Sequence, residues 1–142
     1  MLIMNTEALF ITLFCVFSTA ISIADIRKGE VPRAAFAAAF PVFFAIRVGW
    51  GAFPLREAAA GLLAGLVVFL LARIISGGKL GLADVWYSAL IGLVLGPWRW
   101  YGAAIVACAG GLVLFIAIGK RRIPFIPLMA AGSIAMIIIQ GR

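Results

Sequence analysis

The stretch from Ala58 to Ile75, Ala-Ala-Ala-Gly-Leu-Leu-Ala-Gly-Leu-Val-Val-Phe-Leu-Leu-Ala-Arg-Ile-Ile, decides the fold class. One charge, Arg73, interrupts a run as long as the about 20 apolar residues that cross a bilayer as a helix. Arg56-Glu57 precedes it and Ser76-Gly77-Gly78-Lys79 follows it. Working outward, similar runs extend from about Ala8 to Ala24, Ala34 to Phe53, Leu80 or Asp84 to Gly96, Tyr101 to Ile118 and Pro124 to Gln140. Between them stand charged residues or Gly/Pro breaks, and Pro97-Trp98-Arg99-Trp100 reads as the end of the fourth run. The expectation is an all-α polytopic membrane protein, a bundle of six transmembrane helices forming one domain over residues 1–142. Gly61-x-x-x-Gly65 and Gly92-x-x-x-Gly96 would let neighbouring backbones approach closely.

Composition agrees. The 142 residues are 65% hydrophobic and 12% charged, about half the charged fraction of a soluble domain. The absence of histidine removes Ser–His triads and histidine bases. Cys15 and Cys108 lack metal-ligand or redox spacing and read as small buried hydrophobes. The first run has no basic residue before it, so it reads as a mature helix rather than a cleaved signal.

The charge of +7 could suggest nucleic acid, but basic residues in a membrane chain set topology. Arg27, Lys28, Arg33, Arg73, Lys79, Lys120, Arg121 and Arg122 fall in or beside alternate loops on one face. Arg56, Arg99, Arg142 and Arg47 belong to the other. The positive-inside rule then puts the first face in the cytoplasm and both termini outside. Trp98, Trp100 and Tyr101 suit an outer aromatic belt.

Five acids are few enough to take singly. Glu7 is expected just before the first helix and Glu57 at the start of the third, where a carboxylate suits the helix dipole. Glu30 lies in the basic first loop, solvated, paired with Arg27 or Lys28, or in contact with a basic ligand. Asp25 is expected to close the first helix at the unfavourable end of its dipole. Cys15, Ser18, Ser22 and Asp25 form one stripe of small or polar residues, expected to face the bundle interior. Asp84 enters the fourth helix from the same side, with Tyr87 and Ser88 on its face.

Acids at membrane depth are costly and point to function. If the first and fourth helices are neighbours, the carboxyls of Asp25 and Asp84 can meet. One would then stay charged and activate water while the other keeps a proton and polarises a peptide carbonyl. Two alternatives remain open from spacing alone. Asp84 could cap its own helix while Asp25 pairs with Arg27 or Lys28, or the two acids could line a proton or ion pathway.

At these residues the sequence resembles the type IV prepilin peptidase family, GxGD-type membrane aspartyl proteases that include preflagellin peptidases. Asp25-Ile-Arg-Lys-Gly-Glu-Val31-Pro32 is similar to the family's Asp followed by an Ile/Val-Pro pair. Gly81-Leu82-Ala83-Asp84-Val85 is similar to its Gly-x-Gly-Asp-Val block, and Ile123-Pro124-Phe125-Ile126-Pro127 to its closing Ile-Pro-Phe-x-Pro segment. The resemblance implies that Asp25 and Asp84 are the catalytic aspartates, with Gly81, Ala83, Val31, Pro32, Pro124 and Pro127 as supporting motif residues. Ala83 replaces the second motif glycine and Trp86 a frequent lysine. The cysteine-bearing N-terminal extension associated with N-methylation has no counterpart, so the short, peptidase-only form is expected.

The implied activity is removal of the basic leader from type IV prepilin-like precursors at the cytoplasmic membrane, as in pilus assembly and protein secretion. The implied partners are such substrates and the lipid bilayer, with no nucleic acid, metal or cofactor. Glu30 is a candidate contact for the basic leader, and an inactive relative assisting pilus assembly is the reading that Ala83 would favour.

Overall fold

The computed structural model describes residues 2–50, 54–119 and 123–140. Among them are six helices: α1 Leu2–Lys28, α2 Arg33–Trp50, α3 Leu55–Ile75, α4 Leu82–Leu95, α5 Pro97–Ile118 and α6 Phe125–Gln140. No strand occurs among the described residues, so the all-α expectation holds. Three segments, Glu7–Lys28, Leu55–Ile75 and Pro97–Ile118, are long and apolar enough to cross a membrane. Helices α4 and α6 are apolar but shorter, with 14 and 16 residues. The basic triplet Lys120, Arg121, Arg122, together with Arg142 and the expected end of the second helix at Phe53, lies outside the described residues.

Helix α4 is the axis of the bundle. From Tyr87 to Leu95 every residue is buried, and it packs on α3, α2, α5 and α6. Its seam with α3 is made by glycine. A Cβ on Gly61 would stand 2.0 Å from the Gly92 carbonyl oxygen, and one on Gly65 2.4 Å from that of Ser88. Only hydrogens fit there, so the two backbones are in direct contact. Gly96 has a different use: its φ of 82° ends α4 and turns the chain straight into α5. The same seam sets the antiparallel register. Four residues along α3 match four back along α4, and the progression brings Phe69 level with Asp84 and Arg73 level with Leu80.

Aromatic packing joins the other elements. Phe10, Phe14 and Phe17 of α1 meet Phe36 and Phe43 of α2 edge-on, at centroid distances of 5.7 to 6.4 Å. Such pairs contribute about 0.5–1.5 kcal/mol each beyond the area they bury. Large apolar residues on the outside, among them Val67, Leu71 and Ile74 on α3 and Leu112 and Ile116 on α5, are exposed in the way a lipid-facing surface requires.

Several sequence expectations need correction. Helix α1 begins at Leu2, so the exposed Glu7 lies inside it rather than before it. It also continues to Lys28, placing Asp25 in its last turn. Pro97 begins α5 rather than ending α4, because a proline at the first helical position loses no hydrogen bond. Trp98 and Tyr101 are exposed, but Trp100 is buried and its Nε1–H donates to Ser88 Oγ at 2.8 Å. Cys108 is exposed on α5, while Cys15 is half-buried. Arg47 is not a rim charge: it is 4% exposed, and its guanidinium donates to the Val94 carbonyl at the C-terminal end of α4. That carbonyl has no partner within its helix, and it carries the negative end of the dipole.

Candidate active site

Two loops build the site. The first follows α1. Arg27 and Lys28 in the last turn complement the dipole, and Gly29 stops the helix with φ 66° while its N–H donates to the Asp25 carbonyl at 2.9 Å. Glu30 is exposed and Val31 buried. Pro32 immediately precedes α2 and accepts the Ala35 N–H at 3.0 Å. Val31 therefore pins the loop to the core while Glu30 and Pro32 stay at the surface.

The second loop joins α3 to α4. Gly77 and Gly78 take φ values of 67° and 82°, open to glycine without strain. Ser76 and Arg73 close this turn. Ser76 Oγ donates to the Arg73 carbonyl at 3.0 Å and accepts the Leu80 N–H at 3.4 Å. The Arg73 guanidinium donates to the Leu80 carbonyl. The Gly81 N–H then donates to Asp84 Oδ2 at 3.1 Å, a capping contact across the first turn of α4.

The two loops face each other across an open groove of about 440 Å³. Gly29, Glu30, Val31, Pro32, Arg33 and Phe36 form one wall. Gly81, Leu82, Ala83 and Trp86 form the other. Trp86 is held edge-on by Phe40 at 6.0 Å. Glu30 and Arg33 set opposite charges on the same wall. Neither aspartate lines the groove: Asp25 stands one turn before Gly29 in α1 and Asp84 between Ala83 and Trp86 in α4, and both are half-buried.

The stripe on α1 faces inward as expected. Ser18 and Ser22 are buried, and Ser18 lies beside the fully buried phenol of Tyr87. That contact joins α1 to α4 two turns from Asp25 and one turn from Asp84. The contact is local: among the described residues α1 packs mainly on α6 and shares no extended seam with α4, so the two helices expected to be neighbours meet here rather than along their length.

The motif residues divide in location. Glu30, Val31, Pro32, Gly81 and Ala83 line the groove; Pro124 and Pro127 do not. Pro124 stands just before α6 and Pro127 in its first turn, where a missing N–H breaks nothing. Between them the Phe125 ring lies 5.8 Å from that of Phe69, the α3 residue level with Asp84. This segment braces the bundle at the depth of the acid.

Glycine and alanine in the second motif have distinct reasons. A Cβ on Gly81 would lie 3.0 Å from Asp84 Oδ2, so Gly81 makes room for the carboxylate. Ala83 lies inside α4 with no positive φ, so its methyl meets no backbone penalty. The sequence alone left Arg73 and Ser76 out of the site. Their signal was an arginine in the last turn of an apolar helix, three residues before Ser-Gly-Gly. Among the described residues no group of three or more Cys, Asp or Glu side chains is gathered as a metal site would be.

No curated protein and no solved structure matches the chain. A family model does, over residues 12–139, from the third turn of α1 to the last turn of α6 and across both loops. With that match spanning nearly the whole bundle, the chain belongs to the type IV leader peptidase family.

Proposed function

We propose that this member of a peptidase family is a membrane aspartic endopeptidase in which Asp25 and Asp84 are the reacting carboxyls. Its substrates are type IV prepilin-like precursors, cleaved at the cytoplasmic face behind their basic leader. One observation carries this reading: the groove is walled by the loop that leaves the Asp25 turn and by the turn that holds Asp84, although neither aspartate itself lines it.

Two neighbouring carboxyls resist double ionisation, so one holds a proton. The ionised carboxylate takes a proton from water as the water oxygen bonds to the scissile carbonyl carbon. The protonated carboxyl delivers its proton to the carbonyl oxygen. Collapse of the tetrahedral intermediate breaks the C–N bond: the proton first taken from water goes to the leaving amine, and a diol hydroxyl returns its proton to the other carboxylate as the carbonyl re-forms. The scissile amide must be out of helix to be attacked, because a helical peptide group is already hydrogen-bonded. A glycine before it eases that unwinding.

Glu30 suits a lysine or arginine of the leader, and the rings of Phe36 and Trp86, one on each wall, suit the apolar segment that follows. Six membrane crossings with both termini outside put the groove in the cytoplasm, in line with Arg27, Lys28, Arg33 and Lys79 around it. The ordinary helical backbone at Ala83 supports an active enzyme over an inactive relative.

The test is co-expression with a prepilin-like substrate, reading leader removal by gel shift. Asp25→Asn and Asp84→Asn are each expected to abolish cleavage while the protein remains in the membrane. Cleavage that survives in either variant removes that residue from the reaction. A Glu30→Cys variant should react with an impermeant thiol reagent only from the cytoplasmic side.

A further inference from the structure

The Arg73 and Asp84 contacts described above meet on one peptide unit. Arg73 donates to the Leu80 carbonyl, and the N–H of that same peptide group, on Gly81, donates to Asp84 Oδ2. A cation at the oxygen of an amide pulls electron density from its nitrogen, so the N–H becomes a stronger donor. We propose that Arg73 is a positioning residue acting through the Leu80–Gly81 peptide. It holds Asp84 as the ionised, water-activating member of the pair, leaving Asp25 to carry the proton. The proposal rests on the reading of Asp25 and Asp84 as the reacting carboxyls.

Three features point the same way. A carboxylate that accepts a backbone N–H is favoured in its charged form. Asp84 also stands in the first turn of α4, at the positive end of the helix dipole, whereas Asp25 stands in the last turn of α1, at the negative end. Leu80 is held on both sides: Arg73 takes its carbonyl, in the Leu80–Gly81 peptide, and Ser76 its N–H, in the peptide before. Gly77 and Gly78 on the far side of Ser76 leave the turn free to adopt this geometry. Among the described residues, the other charged groups at this end of the bundle are Asp25, Arg27, Lys28, Glu30 and Arg33 at the first loop and Lys79 in the second. None of these shares the Leu80–Gly81 peptide in the described hydrogen bonds.

The sign of the pH effect follows. Loss of Arg73 weakens the N–H donor, the charged form of Asp84 is less favoured, and a higher pH is needed to ionise it. The acid limb of the pH–rate profile then moves upward.

The experiment uses the full chain in liposomes, with a synthetic substrate of basic leader, glycine and apolar helix. Rates are measured across pH for wild type, Arg73→Lys, Arg73→Gln and Ser76→Ala. Arg73→Gln is expected to lose about tenfold or more in kcat with KM within about twofold, and its acid limb to rise by about one pH unit. Arg73→Lys keeps the cation and is expected to restore both, while Ser76→Ala leaves the pH profile in place. An Arg73→Gln enzyme with wild-type kcat, or one slowed with an unmoved acid limb, overturns the proposal. If Arg73→Gln fails to accumulate in the membrane, Arg73→Lys decides: a wild-type profile supports the assignment, and a dead or shifted enzyme overturns it. Failure of the underlying reading looks different, because cleavage would then survive Asp25→Asn or Asp84→Asn.

Discussion

Gly81 has a φ of −64°, which any residue can adopt, so its missing side chain matters for space alone. Gly81→Ala would press a methyl on the Asp84 carboxylate and turn it. On the proposed reading of Asp84 as a reacting group, this displacement is expected to lower kcat by about tenfold or more, read with the same leader substrate. Ala83→Gly, which restores the family's second glycine, is expected to leave kcat within about twofold. It should cost stability by about 1 kcal/mol, the difference in helix propensity, seen as a lower Tm in detergent. At this scale the sequence was legible where a residue's chemistry is rare: two acids in apolar surroundings stood out. It was not legible for Arg73 and Arg47, because a positive charge near a helix end reads equally well as a topology signal. Only the carbonyls of Leu80 and Val94, which no sequence pattern places, distinguish the two uses.

At the scale of elements, the α3–α4 seam fixes the depth of the site. Gly92→Ala would set a Cβ 1.9 Å from the Gly61 carbonyl oxygen, with backbone on both sides and nothing flexible to yield. The helices must separate, and overpacking of this kind costs about 1–3 kcal/mol. Gly49→Ala in α2 meets nothing within 4 Å and is the matched control, expected to be neutral or slightly stabilising. Thermal unfolding of both variants in detergent checks the pair. The small-residue spacings foretold this close approach, and the apolar runs foretold the number of helices. The boundaries were less legible: Gly96-Pro97 looked like a plain break, but a positive φ followed by a proline makes it a corner with helix on both sides. That corner carries Trp100 inward to Ser88, so an aromatic expected at the membrane surface is part of the core.

For the whole molecule, the central helix is the short one. At 1.5 Å per residue the 14 residues of α4 span about 21 Å, against roughly 30 Å of hydrocarbon. Its register on α3 divides the shortfall between the two ends: α4 starts opposite Leu71, about 6 Å before α3 ends at Ile75, and stops opposite Ala58, about 4.5 Å after α3 begins at Leu55. The acid-bearing turn is therefore sunk below its rim. At the opposite end Arg47 sits against Val94, and Trp100 fills the middle of the bundle against Ser88 and Phe69. On the proposed reading, a groove open at one end and an α4 buried from Tyr87 to Leu95 would admit hydrolytic water without a conduit across the bilayer. Liposomes carrying the protein should hold an imposed proton gradient as long as empty ones, measured with an entrapped pH dye; a fast leak would favour ion conduction. Cleavage as proposed and an energised membrane can then coexist: water would be consumed at one face while the bilayer keeps its voltage.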